Sequence, residues 1–165
     1  MKKIKILKYK KSELSIILPC YNESKNLNRI FKRIQYINKD YKIAIEYIFV
    51  NNGSQDNTNQ IINRFIYKNN LKNIRLISIK KNIGYGNGIH QGLLASRGLY
   101  ISWTHADLQS DILDCIIALS KIKKFKGKVF VKGKRINRDK FDNFFTKAMS
   151  LFIRLFLGHN LEDIN

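Results

Sequence analysis

Apolar and polar positions alternate between two periods along the chain. Residues 14–18 form a short apolar run stopped by Pro19, which predicts a buried strand. Leu27, Ile30, Phe31, Ile34 and Ile37 then recur at three-and-four spacing, one apolar stripe along a helix. The alternation repeats. A strand over 43–50 precedes a helix carrying Ile61, Ile62, Phe65 and Ile66, and a strand over 74–79 precedes a helix marked by Ile89, Leu93 and Leu94. A fourth buried strand is predicted over 99–104 and a helix over 111–122. A short strand over 128–132 and a long amphipathic helix over 141–157 follow. Strands alternating with helices predict βαβ units, an α/β fold with a mainly parallel sheet. In the first four units the polar, Gly-rich or acidic residues come after the strand and before the helix. Those loops should line one edge of the sheet, where open α/β sheets hold ligands.

Composition narrows the class. A chain of 165 residues is one ordinary domain, and 44% hydrophobic content with ten Phe excludes a disordered tail. The two cysteines, Cys20 and Cys115, sit among apolar neighbours and read as core residues of a protein from a reducing compartment. The net charge of +19 implies attraction to polyanions, whether nucleic acid, anionic lipid or a phosphorylated substrate, and does not choose among them. It is concentrated in a basic arm, residues 1–12, and over 121–138. The apolar run after that arm is too short for a signal peptide and lacks a small-residue cleavage site. The segment 144–157 carries Lys147 and Arg154 and is too short to span a bilayer. A soluble or membrane-peripheral chain is expected.

Chemistry-bearing residues gather after the fourth strand. His105, Asp107 and Gln109 lie at i, i+2 and i+4, so a turning backbone could aim an imidazole, a carboxylate and an amide oxygen at one point. Such donors suit a divalent cation shared with a phosphorylated ligand. The alternative is a turn in which Asp107 merely caps the next helix. After the second strand, Ser54 or Asp56 is available to cap the helix that follows. Gly84, Gly86 and Gly88 invite a nucleotide-loop reading, but Gly88 is followed by Ile89 and His90 instead of Lys and Ser/Thr, so the P-loop fails. The dinucleotide fingerprint fails too, since these glycines follow the third strand at GxGxG spacing. A glycine-rich turn opening a helix remains, either as an anion contact or as a purely structural turn.

Taken as a set, Ile17-Leu-Pro-Cys-Tyr-Asn-Glu-Ser-Lys-Asn-Leu27, Phe49-Val-Asn-Asn-Gly-Ser-Gln-Asp-Asn-Thr58, Asn82-Ile-Gly-Tyr-Gly-Asn-Gly88 and Trp103-Thr-His-Ala-Asp-Leu-Gln109 resemble the family 2 glycosyltransferases. Within that family they look most like the polyprenyl-phosphate sugar transferases of the dolichol-phosphate mannose synthase type. The resemblance implies a GT-A domain over residues 13–165 and transfer of a sugar from a UDP- or GDP-linked donor. It implies that Pro19, Tyr21, Asn22, Glu23, Asn51, Asn52, Gly53, Asn82, Gly86, Ala106 and Asp107 bind the nucleotide. It places a divalent metal, Mn or Mg, on His105, Asp107 and Gln109, at the family's Asp-x-Asp position, and makes Asp107 and Arg135 catalytic.

Two positions depart from the family pattern. The usually acidic second-strand corner is Asn51-Asn52, and the first Asp of Asp-x-Asp is His105, which shifts the expected metal preference toward Mn²⁺. The implied acceptor is a polyprenyl phosphate or another membrane-associated acceptor of the cell envelope, met near Glu162 and Asp163. No nucleic acid is expected as a partner, and the expected place is the cytoplasm or the inner membrane face. Family members continue beyond the point matching Asn165, so the acceptor part is expected to be incomplete. Together with the two departures, that keeps open a nucleotide-diphosphate-binding domain without turnover.

Overall fold

The computed structural model describes residues 12–133 except Leu108. Strands and helices alternate as β1 (Leu14–Cys20), α1 (Leu27–Asp40), β2 (Ile45–Asn52), α2 (Thr58–Lys68), β3 (Ile74–Ile79), α3 (Tyr85–Ala95), β4 (Tyr100–Trp103) and α4 (Leu113–Ile122). The strands form one sheet in the order β3-β2-β1-β4, with every neighbouring pair parallel. All C-terminal strand ends, and the loops after them, therefore share one edge. The order reverses at β1: the chain steps outward to β2 and β3, then returns to β1's other side for β4. The rim between the β1 and β4 loops is thus a topological switch point. The chain divides into two units, residues 1–127 and 128–165, and this sheet lies in the first. The expected helix over 141–157, Arg135, Glu162, Asp163 and residues 1–11 of the basic arm lie outside the described residues.

One sheet face is covered by α1, α2 and α4. Leu14, Ile16, Leu18 and Cys20 of β1 with Tyr47 and Phe49 of β2 meet the predicted stripe of α1, Ile62 of α2, and Cys115, Ile116 and Leu119 of α4. Phe31 stacks on Phe65 with centroids 3.8 Å apart and meets Phe49 edge-on at 5.8 Å, joining α1, α2 and β2. Each fully buried Ile, Leu or Phe here contributes about 2 kcal/mol of hydrophobic stabilisation. Both cysteines are free and buried, and burial raises both thiol pKa values, so they pack as core residues.

The other face carries α3, and here the structure corrects the sequence reading. The residues α3 turns inward are Gly88 and Gly92, whereas Leu93 and Leu94 are exposed. A Cβ on Gly92 would stand 2.3 Å from Ile17 Cγ2, so only glycine lets the helix approach this closely. β4 is a half-exposed edge strand, not a buried one. Its Ile101 and Trp103 share a face with Ser15 and Ile17 of β1 but are 46% and 39% exposed. Pro19 does not stop β1, which runs on to Cys20 beside Asn51. The carbonyl of Ile17 accepts from Thr104 N–H on the β4 side, and Pro19, two residues on, turns toward that side just where β4 has ended. Its missing N–H therefore breaks no ladder bond. Residues 128–132 form no strand.

A buried carboxylate fixes the opposite edge of the sheet. Glu46 Oε1 accepts from Ser15 Oγ and from Arg97 N–H, both at 2.6 Å, and Arg75 Nε lies 3.5 Å from Oε2. Ser15 Oγ in turn accepts from Gly98 N–H at 2.8 Å. The α3–β4 connection is thereby tied to the starts of β1, β2 and β3.

Candidate functional site

The first two loops on the rim are laced together by four hydrogen bonds. Asn22 N–H donates to Ser54 Oγ at 3.0 Å, and Asn22 Oδ1 accepts from Gln55 N–H at 2.8 Å. Glu23 N–H donates to Thr58 Oγ1 at 2.8 Å and Ser24 N–H to Asp56 Oδ2 at 3.1 Å. Asn22 takes a left-handed backbone with φ of 57°, which asparagine tolerates better than most side chains. Asp56 also accepts from Thr58 N–H at 2.9 Å, so one oxygen satisfies the first N–H of α2 and the other clasps the neighbouring loop. Partial burial raises its pKa, but the hydrogen bonds from Thr58 and Ser24 outweigh that and bring it down to about 2. The clasp leaves Tyr21 43% exposed on the rim, with Glu23 accepting from Asn26 Nδ2 at 2.7 Å.

The second and third loops meet through Asn52. Its Nδ2 donates to Asn82 Oδ1 at 3.0 Å and to the Gly84 carbonyl at 2.9 Å, and both neighbours are acceptors, which fixes the orientation of the amide. Asn82 Oδ1 also accepts from Gly84 N–H at 2.9 Å. Asn52 Oδ1 is buried without a partner among the described residues. Asn51 is equally occupied, donating to Asn59 Oδ1 at 3.3 Å and accepting from Ser54 N–H at 3.1 Å. The two asparagines, 6% and 3% exposed, thus shape the wall of the rim from within it. Gly53 has a φ of 70°, and a Cβ there would stand 2.6 Å from Asn82 N, so this turn must be glycine for the loops to touch. Gly86 stands in the first turn of α3, with nothing within 4 Å of where a Cβ would be.

The third loop then reaches the fourth. Gly88 lies against Pro19, 3.3 Å from the place its Cβ would take, and the ring of Tyr85 stacks on His105 with centroids 5.0 Å apart and planes 5° from parallel. Partial burial and the nearby Asp107 carboxylate both raise the pKa of the Tyr85 phenol. Asp107 Oδ1 accepts from Gln109 N–H at 3.0 Å, a local turn that leaves the following helix alone. The carboxylate at the start of α4 is that of Asp111, just before the N-cap Ile112; it accepts from Leu113 N–H at 3.0 Å and from Arg33 Nε at 2.8 Å. The Arg33 hydrogen bond lowers the Asp111 pKa. The capping alternative for Asp107 is thereby excluded. Ala106 is 2% exposed and packs in the core, so it is not open on the surface of the rim.

Sequence reading expected these loops to line one edge of the sheet; the structure puts Pro19, Tyr21, Asn22 and Glu23 at the end of β1 and just after it, and His105, Asp107 and Gln109 after β4, on either side of the switch point. It missed Tyr85, for which the only signal was an aromatic residue inside the glycine run. It also missed the loop-to-loop bonds of Ser54, Asp56 and Thr58. An imidazole, a carboxylate and an amide oxygen fit a divalent cation by donor chemistry. Among the described residues no three His, Cys, Asp or Glu side chains are placed to hold a metal, so phosphate oxygens or water would have to complete the shell.

The model of the family described as Glycosyl transferase family 2 matches residues 15–164. The chain belongs to the family 2 glycosyltransferases. This chain is 36% identical over 106 residues to a dolichyl-phosphate beta-glucosyltransferase of Dictyostelium discoideum, covering 61% of this chain and 32% of that one. It is 32% identical over 154 residues to a protein of the same description from Trichomonas vaginalis, covering 88% of this chain and 45% of that one. The chain therefore spans between about a third and a half of the length of these curated relatives. Among solved structures, the mannosyltransferase PcManGT of Pyrobaculum calidifontis, in complex with GDP-Man and Mn²⁺, superposes with a TM-score of 0.53 at 21% identity, covering 59% of this chain and 28% of that one. S. aureus TarS 1-349 in complex with UDP does so with a TM-score of 0.53 at 21% identity, covering 73% and 38%. At such identities the likeness carries the fold, which is GT-A.

Proposed function

We propose that this chain is the donor-binding part of an enzyme that moves a sugar from a UDP- or GDP-linked donor to a polyprenyl phosphate or another membrane-associated acceptor. The observation that carries this reading is the bridged rim: four successive loops meet around the switch point, and Asp107 stands there without a capping role. The relatives named as dolichyl-phosphate glucosyltransferases support a lipid-phosphate acceptor, the PcManGT and TarS complexes support a nucleotide-diphosphate donor, and the PcManGT complex supports a divalent metal.

In this reading Tyr21 and Asn22 flank the nucleotide from the β1 side, and the α3 N-terminus with Gly86 turns backbone N–H groups toward phosphate. His105, Asp107 and Gln109 would hold the cation, with Mn²⁺ favoured over Mg²⁺ by the imidazole. A bound cation supplies positive charge to the departing diphosphate. Arg135, outside the described residues, is proposed to add a second positive charge there. A lipid-phosphate oxygen is already anionic, so the chain need not supply a general base. The working place is the cytoplasm or the inner face of the membrane, reached peripherally; among the described residues no helix is long and apolar enough to cross a membrane.

The test is incubation with radiolabelled UDP-glucose or GDP-mannose, polyprenyl phosphate and Mn²⁺, followed by organic extraction. Label in the lipid phase is expected. Nucleotide binding with no labelled lipid under any donor would instead establish a binding domain without turnover.

A further inference from the structure

Among the described residues, the His105 side chain stacks on Tyr85. The two residues come from different loops. Tyr85 opens α3, directly after Gly84, whose φ of 109° and whose carbonyl, held by Asn52, set the direction in which the helix begins. His105 follows β4 by two residues. Parallel rings with centroids 5.0 Å apart form an offset stack, an arrangement that fixes the plane of the smaller ring. One aromatic side chain therefore stands against a residue assigned to the diphosphate end.

We propose that Tyr85 is a positioning residue of the donor site: its ring sets the plane of the His105 imidazole, and so governs how His105 serves the diphosphate and its cation. This rests on the donor-site reading given under Proposed function. Imidazole donates from ring nitrogens that lie in its plane, so its usefulness to a cation or a phosphate oxygen depends on that plane being held. A carboxylate at the same place would need no stacking partner. The departure at 105 and the aromatic residue at 85 are, on this view, one device.

The experiment is calorimetry of UDP and GDP with the whole chain, in Mn²⁺ and in Mg²⁺, for the unaltered protein and for Tyr85→Ala, Tyr85→Leu, Tyr85→Phe, His105→Ala and Tyr85→Ala/His105→Ala. Tyr85→Ala and Tyr85→Leu should weaken nucleotide binding in Mn²⁺ by about 3- to 10-fold, the worth of one aromatic stack. Tyr85→Phe should restore it to within about 2-fold, since the ring is kept. The double variant should bind no more weakly than His105→Ala, because Tyr85 acts through His105. Thermal denaturation shows whether each variant is folded, and Tyr85→Leu keeps the side-chain bulk should the alanine variant unfold. Unchanged affinity in folded Tyr85→Ala or Tyr85→Leu overturns the proposal, as does a double-variant loss equal to the product of the two single losses. An unaltered protein that binds neither nucleotide in either metal overturns the donor-site reading itself, and this inference with it.

Discussion

Asn52 shows how one atom type decides a loop. Its NH₂ group faces two acceptors, Asn82 Oδ1 and the Gly84 carbonyl, and its residue is 3% exposed. The family pattern puts an acidic residue at this corner, but a carboxylate here would set a buried acceptor against two acceptors. Asn52→Asp should therefore destabilise the chain by about 1–3 kcal/mol, the cost of leaving buried polar groups unpaired. Urea denaturation measures it, and an unchanged midpoint would show that the amide does not hold the glycine loop. The corner could be read from sequence as a departure from the family. Its consequence could not, because Asn52 and Asn82 are thirty residues apart and only the fold brings them together.

At the scale of elements, α3 differs most from its expected form. Its apolar positions predicted a helix lying on Ile89, Leu93 and Leu94, yet it rests on Gly88 and Gly92. Periodicity locates a helix but treats glycine as a gap, and here the gap is the contact face. Gly92→Ala sets two effects against each other: alanine favours the helix by about 1 kcal/mol, while overpacking against a fully buried side chain costs about 1–3 kcal/mol. With the added Cβ 2.3 Å from Ile17 Cγ2, overpacking should win and lower the stability measured by thermal denaturation. A more stable Gly92→Ala would mean that α3 sits further from the sheet. The stripe of α1 was fully legible, since all five predicted residues are buried. β4 was legible as a strand but not as an edge, because an apolar run of four residues looks the same in both settings.

For the molecule as a whole, the sequence carried the connectivity and therefore the shared rim. Alternating periods predicted parallel strands, and parallel strands put every following loop on one edge. The strand order, and so the switch point between β1 and β4, came only with the structure. Net charge was less informative, since +19 suits any polyanion, whereas the donor site proposed on the rim calls for a diphosphate. The most direct test of that claim is calorimetry of UDP and GDP with and without Mn²⁺, on the unaltered chain and on Asp107→Ala. Binding of at least one nucleotide that strengthens with Mn²⁺, and loss of that strengthening in a folded Asp107→Ala, is the predicted result. Equal affinity in both proteins, or no dependence on the metal, would contradict it.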